Sequence, residues 1–176
     1  MSEYTGQDIH DLMVAAEQGD ADAQAKLGSK YLLGQGIPQD YIKAAQLFEK
    51  AAKQGKANAQ FELGIMYIIG KGVPKDEIKA EYWFKNAAEQ GNMDAQFNLG
   101  VMHTQRGDYE NAYELYRGIA YQGHANAQNM LGEMYFNGDW VAQDFEQAAA
   151  WFIKAAEQGH ELAMEGLQEI HKLHLS

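Results

Sequence analysis

Residues Ala57–Gly91 read ANAQFELGIMYIIGKGVPKDEIKAEYWFKNAAEQG, and residues Ala21–Gly55 follow the same plan as ADAQAKLGSKYLLGQGIPQDYIKAAQLFEKAAKQG. In each stretch an alanine, a leucine and an aromatic stand four apart (Ala23, Leu27 and Tyr31; Ala59, Leu63 and Tyr67), a spacing that puts them on one face of a helix. A turn rich in glycine and closed by proline follows, Gly34-Gln35-Gly36-Ile37-Pro38 or Gly70-Lys71-Gly72-Val73-Pro74. Beyond Asp40 or Asp76 a second apolar face begins, Ala44, Phe48 and Ala51 or Ala80, Phe84 and Ala87. The order is helix, turn, helix: glycine accepts the left-handed backbone that ends a helix, and aspartate supplies an acceptor for the orphan N–H groups that begin the next one.

The plan recurs along the chain. Gln-Gly pairs end at Gly19, Gly55, Gly91, Gly123 and Gly159, at spacings of 36, 36, 32 and 36 residues. Periods of this size mark stacked helical repeats, each unable to bury its apolar face alone. The units are 21–55, 57–91, 93–123 and 125–159. The third carries Ala95, Leu99 and His103, then Ala112, Tyr116 and Ile119; the fourth carries Ala127, Leu131 and Tyr135, then Ala148, Phe152 and Ala155. Residues 7–18 read as an N-terminal capping helix and 161–173 as a C-terminal one, with polar outer faces that limit end-to-end stacking. The expected fold is all-α, an α-solenoid of four helix-turn-helix units with terminal capping helices, in one repeat domain over residues 1–176. Two prolines, no cysteine and 46% apolar residues agree with a helical globular chain.

One residue in each unit works against its own helix. Gly28, Gly64, Gly100 and Gly132 lie inside the first helices, where glycine costs about 1 kcal/mol relative to alanine. Recurrence at that cost implies close packing, and the expected partners are the small residues Ala44, Ala80, Ala112 and Ala148. Two departures stand out: the third unit's turn, Gln105-Arg106-Gly107-Asp108, is four residues shorter, and the fourth unit has Asp139-Trp140 in place of Lys71-Gly72. An indole is not expected to do a glycine's work there.

The pattern A-x-A-Q-x-x-L-G-x-x-Y-x-x-G-x-G-[IV]-P-x-D-x-x-K-A-x-x-x-F-x-[KN]-A-A-x-Q-G resembles the Sel-one-like repeat family, a close relative of the tetratricopeptide repeat. The resemblance runs from about Gln7 to Leu173. It implies a bacterial adaptor or scaffold whose first helices line an inner, concave groove, into which the residue after Gln and those after Leu-Gly project. Those columns read Ala25, Ser29 and Leu32; Phe61, Ile65 and Ile68; Phe97, Val101 and Thr104; and Asn129, Glu133 and Phe136. The candidate partner-binding residues are therefore Phe61, Ile65, Ile68, Phe97, Val101, Asn129, Glu133 and Phe136, with Trp140 as a second surface. Phe61 and Phe97 either face the groove or turn into packing between units; the pattern leaves both open.

The charge narrows the partner. The formal net charge is −11, from 14 basic and 25 acidic residues. Residues 91–176 are the acidic half, with four basic residues against twelve acids, while residues 1–90 hold ten against thirteen. Phosphate neutralisation needs clustered Lys and Arg, so nucleic acid is not expected. A basic or neutral protein or peptide is. The lack of cysteine excludes disulfides, thiolate nucleophiles and cysteine zinc sites, fits a reducing, cytoplasmic compartment, and separates the chain from the secreted, disulfide-rich branch of the family. Residues 1–20 hold no signal-like apolar run, so no membrane partner is expected.

Little in the chain could do chemistry. The five Ser and Thr residues (Ser2, Thr5, Ser29, Thr104 and Ser176) lie outside any nucleophile elbow. The glycine turns lack the Gly-Lys-Ser/Thr of a phosphate loop. His171 and His174 could pair on a helix but have no third ligand nearby, and His103 reads as a packing residue in a tyrosine's place. No catalytic residue, cofactor or metal site is expected, and the chain is read as no enzyme. The expected function is a protein–protein interaction module. The alternatives are an immunity or inhibitor protein that neutralises a basic toxin or nuclease by charge, and a small-ligand or cell-wall-fragment binding protein or enzyme.

Overall fold

The computed structural model describes residues 6–174; Ser2, Thr5 and Ser176 lie outside the described residues, as does the side chain of His174. Among the described residues there are ten helices and no strand: α1 (Gly6–Glu17), α2 (Ala21–Leu33), α3 (Tyr41–Lys53), α4 (Ala57–Ile69), α5 (Glu77–Glu89), α6 (Met93–Gln105), α7 (Tyr109–Ala120), α8 (Ala125–Asn137), α9 (Phe145–Ala156) and α10 (Glu161–His174). The fold class is the all-α one of helix-turn-helix repeats, the α-solenoid class. The chain forms two compact units, one reaching Ala95 and the other starting at Gln96. In the first, α2 packs on α3 and α4 on α5, while α1 packs on α2 and α3 on α4. In the second, α7 packs on α8, α8 on α9 and α9 on α10.

The helix boundaries follow from local chemistry. Asp20, Asp40, Asp76, Asp108 and Asp144 each precede a helix and accept from a backbone N–H of its first turn, at 2.7 Å in Asp20 and 3.0 Å in Asp40 and Asp76. The backbone N–H of Lys43 or Lys79 first, and the same lysine's side chain second, hold the Asp40 and Asp76 carboxyls below the usual carboxylate range. Gly34, Gly70 and Gly138 end α2, α4 and α8 at φ of 69°, 70° and 79°, the left-handed conformation that an L side chain resists.

The helical glycines do meet a close neighbour, but it is not the alanine. A Cβ on Gly64 would stand 2.6 Å from Cε1 and 2.7 Å from Cδ1 of Phe84, one on Gly28 3.0 Å from Phe48, and one on Gly100 2.5 Å from Tyr116. Gly132 lies against Phe152 in the same way. The first helix thus lies flat on an aromatic ring of the second. The expectation of glycine on alanine chose the wrong column because the ring, four residues along the same face, reaches back across the interface. Ala44, Ala80, Ala112 and Ala148 are buried beside these contacts, at 0% exposure.

In the first, second and fourth repeats a pair of glutamines ties the first helix to the second helices on either side of it. Gln60, 5% exposed, donates to the carbonyl of Ala52 (3.1 Å) and accepts from Gln90 Nε2 (2.8 Å). Gln24 donates to Ala16 and accepts from Gln54, and Gln128 donates to Ala120 and accepts from Gln158. Each buried amide is satisfied on both sides, as a buried polar group must be to avoid a desolvation penalty.

Trp140 corrects a further expectation. It takes φ +67°, the conformation that Gly72 holds at +73° and Gly36 at +77° in the equivalent turns. The indole does the glycine's backbone work. It can because its side chain is 56% exposed, whereas a Cβ on Gly72 would overlap the backbone carbonyl of Tyr41. The residual cost is that of a left-handed L residue, about 1–2 kcal/mol.

Candidate functional site

In the first unit, the N-terminal halves of α2 and α4 and the start of α6 enclose an open groove of about 550 Å³, a volume within the range of ligand-binding clefts. From the sequence columns, Ala25, Ser29 and Phe61 line it. Phe61 is half-buried, with its ring centroid 6.0 Å from that of Phe84. The ring thus approaches Phe84 while the residue also lines this groove. Ile65 and Ile68 are half-buried further along α4 and do not line the groove.

Polar residues that the columns did not mark complete its lining. Lys56, just before α4, places Nζ 2.8 Å from Asp22 Oδ2, and Lys26 stands near the same carboxylate. Asn92 Oδ1 accepts from Ala95 N at 2.8 Å, and its Nδ2 lies 3.5 Å from Asn58 Oδ1. Glu62 is half-buried; its burial, first, and the nearby charge of Asp94, second, push its carboxyl above the ordinary value. A lone glutamate on a helix reads as a solvated face. The only sequence signal here was its place next to Phe61; the groove that it helps to line draws on other helices as well.

In the second unit, Phe97 and Val101 are half-buried against its core. The Phe97 ring lies 5.5 Å from Tyr116 and stacks on His124 at 5.2 Å. Asn129 is buried, at 3% exposure; its Nδ2 donates to Glu133 Oε1 (2.8 Å), and its Oδ1 has no hydrogen-bond partner. Phe136 packs edge-on against Phe145 at 5.5 Å. A smaller cavity of about 190 Å³, lined by Thr104, Tyr109, Tyr116, Glu133 and Asp139 among others, lies where the third unit's turn is short. His103 Nδ1 lies 2.8 Å from Asp108 Oδ2, tying that short turn to its own helix.

Among the described residues, no three His, Cys, Asp or Glu side chains gather as metal ligands would. No helix among them is long and apolar enough to cross a membrane.

The Sel1 repeat model matches residues 21–56, 57–92, 94–124 and 125–160. In structure the chain is similar to a protective antigen of uropathogenic Escherichia coli with an SLR fold, at 33% identity and a TM-score of 0.85, over 97% of this chain and 37% of the antigen. It is similar to a Sel1 repeat protein from Oxalobacter formigenes at 32% identity and a TM-score of 0.79, over 93% of this chain and 49% of that one. The chain therefore spans less than half the length of both. An immunity protein from Pseudomonas aeruginosa shares the fold, at 23% identity and a TM-score of 0.60, over 90% of this chain and 60% of that one. No curated protein matches the chain. Four matched repeats, covering most of the sequence in the units that its glycines mark, show that the chain belongs to the Sel1 repeat family.

Proposed function

We propose that the protein is a non-catalytic interaction module that holds a segment or surface of a partner protein on the face made by its first helices. Sel1 repeat proteins are generally protein–protein interaction modules, and the fold is typically a scaffold without catalysis. The observation that carries the reading to this chain is the first unit's groove, with an aromatic side chain on its lining and polar groups around it. Aromatic anchors contribute most to such interfaces. Phe61, Ile65 and Ile68 in the first unit and Phe97, Val101, Asn129, Glu133 and Phe136 in the second are the contact residues, with Trp140 as a separate exposed anchor. The excess of acid favours basic or neutral protein partners over nucleic acid, and the lack of cysteine favours the cytoplasm.

The net charge of −11 also favours a second reading, an inhibitor that covers a basic toxin or nuclease. The two separate in one experiment. Partners captured from the source cells are identified, then tested against Phe61→Ala, Ile65→Ala and Phe97→Ala, with a melting curve for each variant. Lost binding by Phe61→Ala with helicity retained supports the groove, and loss by Ile65→Ala or Phe97→Ala extends the contact to other first-helix residues. Unchanged binding by all three, with a salt-sensitive basic partner, supports the inhibitor instead.

A further inference from the structure

The small cavity of the second unit has a counterpart in the first, because the repeat sets the same backbone around both. Tyr109 opens α7 after Asp108 as Tyr41 opens α3 after Asp40. Thr104, Glu133, Asn137 and Asp139 stand where Leu32, Ile65, Ile69 and Lys71 stand. The turn after α8 follows that after α4: Asp139 N donates to the Met134 carbonyl at 3.0 Å, as Lys71 N does to that of Met66 at 3.1 Å, and Trp140 keeps φ +67° against +73° at Gly72. In the first unit the chain fills this place itself. The Lys71 ammonium lies over the Tyr41 ring, 5.1 Å from its centroid, which is a cation–π distance. In the second unit the tyrosine is kept as Tyr109 and Asp139 stands in place of the lysine.

The exchange extends beyond that one residue. A leucine and two isoleucines give way to Thr104, Glu133 and Asn137, so oxygen acceptors replace an apolar surface. A Cβ on Gly72 would overlap the Tyr41 carbonyl; Trp140 carries that Cβ, so its turn cannot close as tightly on the start of α7, and about 190 Å³ stays open. No Lys, Arg or His lines this space. Glu133 and Asp139 meet neutral amides instead, Asn129 Nδ2 at 2.8 Å and Asn137 Nδ2 at 3.2 Å. Asn129 is 3% exposed, and its Oδ1 has no hydrogen-bond partner. Turning that amide over would set its oxygen against the Glu133 carboxylate, so the missing partner is a donor, and a buried acceptor without one is costly.

We propose that this cavity takes the guanidinium of an arginine on a partner protein, stacked on Tyr109 and hydrogen-bonded to Glu133 and Asp139, in the place that Lys71 holds in the first unit. The proposal rests on the interaction-module reading, in which Glu133 is a contact residue, but it stands apart from the first unit's groove. A guanidinium is planar, as the ring face requires, and permanently charged, as two carboxylates require; its five N–H donors leave some for the Asn129 carbonyl. An ammonium brings fewer donors and no plane, and a neutral side chain leaves both carboxylates unanswered. The space is smaller than the about 300–1,000 Å³ of small-molecule clefts, which suits one side-chain head. Among the described residues no third carboxylate or imidazole joins the two acids as metal ligands would, and a hard cation takes more oxygens than two side chains supply.

The test titrates the isotope-labelled full chain with the capped tripeptide acetyl-Gly-Arg-Gly-amide and with its lysine and citrulline counterparts, following backbone amide shifts. The expected result is a saturable shift centred on Tyr109, Glu133 and Asp139, with the lysine peptide weaker and the citrulline peptide, which keeps the shape without the charge, inactive. Glu133→Gln should weaken the arginine peptide about tenfold, whereas Glu165→Gln, which removes an equal charge from an exposed position on α10, should leave it unchanged. Asp139→Lys should abolish binding, because the chain then supplies the cation as Lys71 does in the first unit. Melting curves show whether each variant is folded, and Asp139→Asn provides a second route should Glu133→Gln unfold. Shifts spread over the acidic surface and weakened equally by Glu165→Gln, binding that survives Asp139→Lys, equal binding of the citrulline peptide, or no saturable shift at the cavity would each overturn the guanidinium site. The groove reading fails or stands separately, through Phe61→Ala in the first unit.

Discussion

Replacing Gly64 by alanine sets two effects of known sign against each other. In an open helix the exchange stabilises by about 1 kcal/mol, because alanine confines the unfolded backbone and favours the helix. Here the new methyl would lie 2.6 Å and 2.7 Å from two ring carbons of Phe84, whereas carbons rest about 3.5–4.0 Å apart. The ring must retreat by close to an ångström, yet Phe84 is 0% exposed and enclosed on all sides. Overpacking of this kind costs about 1–3 kcal/mol, and so rigid a contact belongs at the upper end. Gly64→Ala is expected to be destabilised by about 1–2 kcal/mol after the helix gain is subtracted. Gly118 is the control: it lies within α7 and an added Cβ meets nothing within 4 Å. Gly118→Ala should gain up to about 1 kcal/mol. Gly28→Ala, whose nearest contact is 3.0 Å, should fall between them. Urea titration followed by circular dichroism measures all three. If Gly64→Ala unfolds at or above the wild-type midpoint while Gly118→Ala gains as expected, the glycine-on-ring contact is not what retains glycine there.

Trp140→Gly removes a left-handed L residue and should raise the melting point, by about 1–2 kcal/mol in stability; a lower melting point would show that the indole packs more than its exposure implies. Gln60→Ala strips the Ala52 carbonyl and the Gln90 amide of a partner at once, and should cost about 1–3 kcal/mol in denaturant titration; a neutral result would mean water replaces the amide. For Glu62→Gln the sign depends on pH. Because folding raises this carboxyl above its ordinary 4.5, its unfavourable contribution is absent below that value and complete above the folded one. The variant should therefore be more stable than wild type at pH 7, with the gap closing as the solution is acidified below 4.5; a gap independent of pH would refute the assignment.

The repeat, the all-helical fold and the helix ends were legible in the sequence because they rest on local chemistry. A four-residue spacing, a glycine at a left-handed position and an aspartate before a first turn act within one turn of their own backbone, so residues such as Leu63, Gly70 and Asp76 reveal their roles without a neighbour. The partner of each helical glycine, by contrast, depended on how far a Phe84 or Tyr116 ring reaches across to another helix, and spacing along one chain holds no information on that distance. The buried glutamines show the same limit. Gln60 and Gln90 recur visibly in a motif, yet their bond joins residues thirty positions apart. Glu62 is the sharpest case: as a sequence letter it is an ordinary surface acid, and only the folded chain half-buries it and brings the charge of Asp94 near. Tertiary packing decides the dielectric around a side chain, and so decides which of many similar acids becomes a site.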